Sequence, residues 1–300
     1  MVLLADPLIA CNGTVLYRKG SQKYSFSYMK KKILNYMSEK SPKRKKMGIG
    51  EKIGRRIAES PRDVLYRATE DGYLGYPEEA LLGYDEYMDL FPMKTAHVLM
   101  LKGHTYAQME DNERALEFYD KAIEKNRKDS WIFTYKGLLL EDMERWADAA
   151  RAHNEALSVR RDGFLQKFKR RPDPEESEIL GSIAHCYSHS LNEDDKKLAE
   201  KYMEKSLALD PNDDGALHAK AHMLQDRKAW GELLQVCERA LEDDEIDFDF
   251  LEWKAMAHLE LNQLEDAYDS IRNCITVSPE EGTAWYNLAC YYALKGEKQN

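Results

Sequence analysis

Residues 96–129 read AHVLMLKGHTYAQMEDNERALEFYDKAIEKNRKD, and residues 130–163 read SWIFTYKGLLLEDMERWADAARAHNEALSVRRDG. The two stretches have one length and one plan. A small residue is followed by Ala twelve positions later and by a second small residue seven after that: Gly103, Ala115 and Ala122, then Gly137, Ala149 and Ala156. Two antiparallel helices that cross closely require this, because side-chain bulk at the crossing sets the interaxial distance.

The plan extends in both directions. Ala255, Ala267 and Cys274 repeat it. Ala68, Ala80 and Tyr87 follow it with a bulky last member, and Ala221, Leu233 and Ala240 with a bulky middle one. Ala184, Ala199 and Ser206 fit if the intervening turn is three residues longer, and Ala289 starts a seventh first half. The leading small residues are 35, 34, 47, 37, 34 and 34 apart. A period of 34 built from two helices predicts an all-α solenoid of helical hairpins, each burying its apolar face only by stacking. The repeats fall at about 61–95, 96–129, 130–163, 174–213, 214–247 and 248–281, with an insertion at 164–173 and a half repeat at 282–300. Ser278-Pro279-Glu280-Glu281, Asp173-Pro174-Glu175-Glu176, Ser60-Pro61 and Asp210-Pro211 read as helix starts.

These residues resemble the tetratricopeptide-repeat (TPR) family, in its prokaryotic-type form. Its first helix carries a bulky residue, Leu-Gly and Tyr, and Trp285, Leu288, Ala289 and Tyr292 match that order, as do Leu180, Ile183, Ala184 and Tyr187. In the second helix Ala267, Ile271, Cys274 and Pro279 match, and Ala80, Tyr84, Tyr87 and Pro92 are similar. The resemblance covers about residues 61–300 and implies a right-handed superhelix of about six repeats plus one unpaired helix. One departure recurs: Lys102, Lys136, Lys220 and Lys254, with Arg67, stand where Leu precedes the small residue. Their stems are expected to pack while the amines reach water.

The resemblance also implies a groove lined by the first helices. The corresponding positions are His97, Met100, His104, Trp131, Thr134, His185, His189, His218, His222, Glu252, Met256, Tyr286 and Cys290, which include six of the eight histidines. Such a surface suits an extended peptide or a helix. The Lys/Asn clamp of chaperone-binding members is not matched, since Leu65 and Thr69, or Met100 and His104, occupy its positions. His185 with His189, and His218 with His222, are i,i+4 pairs that could chelate a metal. The plainer reading is that the histidines decorate the groove or stack on a ligand; a pH-sensitive partner site ranks above a metal site, and no cofactor is expected.

The net charge of −10 conceals an asymmetry. Residues 1–60 hold 14 basic and 4 acidic residues, and the other 240 hold 30 and 50. The body repels nucleic acid; only the arm, through Lys43, Arg44, Lys45 and Lys46, could attract it. Residues 1–60 read as a largely disordered arm, with a marginal hairpin around Lys19-Gly20-Ser21 and a short lead-in helix at 51–59. Met47 is an alternative start. The five cysteines form no C-x-x-C pair, no apolar run approaches the ~18 residues of a membrane span, and the start lacks a basic leader. A cytoplasmic protein with reduced thiols is expected. No phosphate-cradling loop, nucleophile elbow or catalytic constellation is present in the sequence.

The expected activity is that of a non-catalytic protein-interaction scaffold. The alternatives are the regulatory part of a longer enzyme and a nucleic-acid adaptor tethered by the arm. Residues 282–296 are expected to pack Trp285, Leu288, Ala289 and Tyr292 on the sixth repeat and to expose Thr283, Asn287 and Lys295. Gly296-Glu297-Lys298 reads as a turn into a further helix, so self-association through 282–300 is also expected.

Overall fold

The structure is a computed structural model, and it describes residues 7–9, 15–19, 22–24, 61–90, 95–160, 173–243 and 246–296. Near the start, β1 (Pro7–Ile9), β2 (Val15–Lys19) and β3 (Gln22–Tyr24) form an antiparallel sheet in that order. Lys19 pairs with Gln22. The expected lead-in helix, the basic run Lys43–Lys46 and residues 164–172 of the insertion lie outside the described residues.

Thirteen helices follow among the described residues. They are α1 (Pro61–Tyr73), α2 (Pro77–Leu90), α3 (Thr95–Gln108), α4 (Asn112–Lys125), α5 (Ser130–Asp142), α6 (Trp146–Val159), α7 (Glu176–Ser188), α8 (Glu193–Leu209), α9 (Asp214–Asp226), α10 (Trp230–Asp243), α11 (Phe248–Glu260), α12 (Leu264–Val277) and α13 (Gly282–Lys295). They divide between two compact units. In the unit ending at Pro174, α1/α2, α3/α4 and α5/α6 are hairpins, stacked in that order. In the unit whose helical part begins at Glu175, α7/α8, α9/α10 and α11/α12 are hairpins, and α13 lies on α11 and α12.

The small residues sit at the crossings. Ala68, Ala80, Ala115, Ala122, Ala149, Ala156, Ala184, Ala199, Ser206, Ala221, Ala255, Ala267 and Cys274 are all at most 1% exposed. Tyr87 is half-buried, as its bulk dictates, and Ala289 is exposed because no second helix faces it among the described residues.

The turns repeat as closely as the crossings. Glu110, Glu144, Lys228 and Asn262 hold φ between +54° and +60°, at the same point of four hairpins. Left-handed backbone is uncommon without glycine, and here each such residue releases the chain from one helix into the next. Gly75 and Gly296 take the same conformation at the matching positions of α1 and α13. The turn from α7 to α8 has no such residue and is only one residue longer than the others; the extra length expected between Ala184 and Ala199 lies mainly in α8, which has 17 residues where the other second helices have 14.

Helix starts differ from expectation at three sites. α7 begins at Glu176, with Glu175 as cap and Glu178 closing a capping box. α9 is capped by Asp213 and α13 by Glu281. Asp173-Pro174, Asp210-Pro211 and Ser278-Pro279 thus mark the turn before the helix; at α7 and α9 a carboxylate nearer the first free N–H groups takes the cap, whereas the Glu281 side chain makes no capping bond. The lysine stems pack as expected, but the Lys102 amine ends on a carboxylate and not in water. Lys102 is buried and its amine donates to Asp85 Oδ1 at 2.7 Å, and Lys136 donates to Asp120 Oδ1 at 2.5 Å. Each ties a hairpin's first helix to the hairpin before it.

The packing of α13 corrects the sequence reading. Ala284, Asn287 and Tyr291 are its buried face, and Leu288 and Tyr292 pack half-buried on the same core as expected, whereas Trp285 is 49% exposed and Ala289 is exposed. The bulky residue and Gly positions face a hairpin's own second helix, so they stay open where none is described. No helix among the described residues is long and apolar enough to cross a membrane.

Candidate functional site

The densest polar arrangement lies in the second unit and starts from two glycines. A Cβ on Gly215 would stand 2.7 Å from the Gly181 carbonyl carbon and 2.9 Å from Ser182 N. A Cβ on Gly181 would run into the Asp213 carboxylate and lie 2.9 Å from Ala216 N. Helices α7 and α9 therefore meet backbone to backbone.

The histidines follow from that crossing. His185 and His189 lie one and two turns beyond Gly181, and His218 and His222 lie at about the same distances beyond Gly215. The rings form a ladder: His185 to His218 at 5.6 Å between centroids, His189 to His222 at 4.5 Å, and His185 to His189 at 4.9 Å. The Nε2 atoms of His185 and His189 are 3.2 Å apart. His218 packs edge-on against Phe250 and Trp253 of α11, at 4.4 and 5.5 Å. Its Nδ1 lies 3.1 Å from the Asp214 carbonyl oxygen, and its buried Nε2 has no hydrogen bond, though Asp249 Oδ2 is 3.5 Å away.

Several expected groove residues are core residues instead. Met100 and His218 are each 2% exposed. Thr134 and His185 are also buried, and the Thr134 hydroxyl donates to the Ser130 carbonyl at 3.0 Å. A position on the inner edge of a helix is covered by the neighbouring first helix when the two sit close, so only part of that row meets solvent. His104 is half-buried in the first unit; its Nδ1 is 2.9 Å from Tyr119 Oη, and its ring meets Tyr135, which stacks on Trp131 at 5.6 Å. His97 and Tyr286 are exposed, and Trp131, His189, His222, Glu252, Met256 and Cys290 are half-buried. Sequence reasoning missed Trp253, whose Nε1 donates to Gln225 Oε1 at 3.0 Å, and the carboxylates around His218. It also missed the glycine pair, although Gly181 and Gly215 stand one 34-residue period apart.

The charges around α9 are shifted together. Burial opposes charge on His218, but Asp214, Asp249 and Asp247 outweigh it and hold the imidazole well above its ordinary pKa. Burial pushes Asp213 up to about 7, against the Ala216 N–H and the Ser206 hydroxyl, which favour the carboxylate. Burial likewise raises Asp247, opposed by His218. Burial lowers His222. A carboxyl raised on folding costs stability at neutral pH, and that cost is relieved as pH falls from about 7 towards its unfolded value near 4. Stability from a raised histidine is complete below about 6.5 and is lost as pH rises through the folded value. His222 alone runs the other way. The melting temperature should therefore be higher at pH 6 than at pH 8, and Asp213→Asn should flatten the difference. Equal melting temperatures at the two pH values in circular dichroism would contradict these assignments.

Comparison with known proteins agrees with the repeat reading. The sequence model of the tetratricopeptide repeat matches residues 96–129 and 177–213. No curated protein sequence matches the chain. Among solved structures, a tetratricopeptide repeat protein from Parabacteroides merdae is similar, with a TM-score of 0.59 at 15% identity over 79% of this chain and 87% of that one. PilW, a type IV pilus biogenesis factor, gives 0.60 at 16% identity over 76% and 98%. The RpL4 assembly chaperone Acl4 gives 0.58 at 14% identity over 79% and 98%. Identities this low bear on the fold alone. The chain carries two repeats that match the tetratricopeptide-repeat model, and its 34-residue period and stacked hairpins have the fold of tetratricopeptide-repeat proteins.

Proposed function

We propose that this chain is a non-catalytic interaction scaffold that takes a partner peptide or helix on the row of first helices. The observation that carries the reading is a set of solvent-reaching side chains that recur, within each unit, at matching positions of successive repeats. His97 and Trp131 stand 34 residues apart, as do Glu252 and Tyr286, and as do His222 and Met256; all six are exposed or half-buried. Solvent-facing aromatic, imidazole and thioether groups in register offer alternating pockets to an apolar helix face or an extended strand. The second helices present mostly charged residues outward, such as Glu117, Lys121, Lys201 and Glu204. Tetratricopeptide-repeat folds in general serve as protein-interaction scaffolds.

Site-specific photo-crosslinking tests this. A benzophenone side chain at His97 or Tyr286 should give a discrete adduct with one protein in cells, and the same group at Glu117 or Lys201 should not. Trp131→Ala should cut the His97 adduct, and Met256→Ala the Tyr286 adduct, each about tenfold, and each should leave the melting temperature within a few degrees. Adducts of equal yield from both sets of positions, or from neither, would overturn the proposal.

A further inference from the structure

We infer that Asp214, His218 and Asp247 form a binding site for one divalent transition-metal ion, at the N-terminal ends of α9 and α11 in the second unit. Such a site goes beyond the scaffold reading and does not rest on it.

One ligand atom from each of the three residues lies within 4.8 Å of the other two. That span is the width of a single coordination sphere, since opposite ligands stand about 4.2 Å apart around Zn(II) and about 4.8 Å apart around Ca(II). His218 Nδ1 and Asp214 Oδ1 are 3.5 Å apart. Two ligands of a tetrahedral zinc ion stand roughly 3.3 Å apart. Asp214 opens α9 and His218 lies one turn further along the same helix, whereas Asp247 is the N-cap of α11.

The ligands are already oriented. The His218 ring is 2% exposed and packs edge-on against Phe250 and Trp253, at 4.4 and 5.5 Å. Asp247 Oδ1 accepts from Asp249 N at 3.0 Å and from Phe250 N at 3.2 Å. A carboxylate accepts at two oxygens, so capping and coordination are compatible. The far side of the ring completes the arrangement. His218 Nε2 is buried with no hydrogen-bond partner, and Asp249 Oδ2 faces it at 3.5 Å. A histidine that binds metal through one nitrogen commonly gives its other N–H to a carboxylate, which fixes the tautomer. Coordination through Nδ1 displaces the 3.1 Å contact with the Asp214 carbonyl oxygen. It puts the proton on Nε2 and turns that orphaned atom into a donor towards Asp249, which removes its desolvation cost.

The local charge favours a cation. A helix N-terminus carries about half a positive charge, which opposes a cation at α9 and at α11. Asp214, Asp247 and Asp249 set three carboxylates against those two ends, and the same three favour a proton on His218. A metal ion takes that proton's place and releases it to solvent. The side chains of Asp214 and Asp249 are each 37% exposed, which leaves an entry path. One nitrogen and two carboxylate oxygens, with water completing the set, suit Zn(II) rather than Mg(II) or Ca(II), which prefer all-oxygen ligands.

The experiment uses the full chain without a histidine tag, first stripped of metal by a chelator. Calorimetric titration with Zn(II) should show one saturable equivalent with a dissociation constant in the micromolar range or below, and Mg(II) should show none. Asp214→Asn and Asp247→Asn should each weaken zinc binding about tenfold or more. Asparagine caps a helix about as well as aspartate does, so both variants should keep their fold, which circular dichroism checks. His189→Ala takes an imidazole out of the ladder and should leave the affinity unchanged. Co(II) in place of Zn(II) should give visible d–d absorption without the intense near-ultraviolet band of a thiolate ligand. No saturable zinc binding, an affinity that either asparagine variant leaves unchanged, a loss of about tenfold on His189→Ala, Mg(II) binding of equal strength, or a thiolate band would each overturn the site.

Discussion

Gly215→Ala should lower the melting temperature by about 10 °C, corresponding to roughly 3 kcal/mol in a unit of this size. The added methyl group would meet Gly181 C at 2.7 Å, Ser182 N at 2.9 Å and Gly181 O at 3.1 Å. All three are backbone atoms of a packed helix, so no side chain can swing aside and the two helices must separate. Separation would open Ala216 and Ala219, both 0% exposed, and break the ring ladder beyond them. Gly231, inside α10, is the internal control. A Cβ there has nothing within 4 Å, so Gly231→Ala should be neutral or stabilising by up to about 1 kcal/mol through helix propensity. Thermal unfolding of the two variants side by side checks the claim, and equal melting temperatures would refute the crossing.

His153→Leu should cost the first unit a similar amount. His153 is 0% exposed, and its Nε2 lies 2.6 Å from Glu141 Oε1, itself within a residue that is 3% exposed. Gly137 makes room for the ring: a Cβ there would sit 2.5 Å from His153 Nε2. Replacing the imidazole by leucine strips a buried carboxyl of its short partner, a loss of about 3 kcal/mol. Replacing both groups by apolar ones of similar size removes the desolvation cost along with the bond. His153→Leu combined with Glu141→Met should therefore be more stable than His153→Leu alone, even though it carries one more substitution. Chemical denaturation of the single and double variants decides this, and a double variant weaker than the single one would show that the pair is not the source of the cost.

The crossings and the period were legible in the sequence because they rest on residue size, which a linear pattern records. Ala115, Ala149 and Ala267 could be placed at helix contacts from spacing alone, and each is 0% exposed. The extra length of the fourth hairpin was legible for the same reason, but it was placed in the turn and lies mainly in α8. Helix starts were less so: Ser278-Pro279 has every local mark of a cap, but the cap falls on Glu281 because the chain still has to turn before it can pack. The candidate site was half legible. Helical register put six histidines on one side of the first helices, but exposure depends on how close two of those helices come. That distance is set by Gly181 and Gly215, whose importance lies in what faces them. His153 and Glu141 were invisible for the same reason: twelve residues apart on different helices, they become partners only across Gly137.

A stack joined mainly by nearest-neighbour contacts opens wherever its couplings are weakest. In the unit that begins at Glu175, coupling is uneven. The α7–α9 junction is backbone against backbone, whereas α13 is held through Ala284, Asn287 and Tyr291, with Trp285 and Tyr286 largely in water. The free energy of local opening therefore falls along this unit from the glycine crossing towards α13. Among the described helices of this unit, α13 is expected to open before α7 and α9, and the histidine ladder to open with the block that the glycine crossing holds. A ligand held by the ladder would then stabilise the entire unit against global unfolding while leaving the fluctuations of α13 as they were.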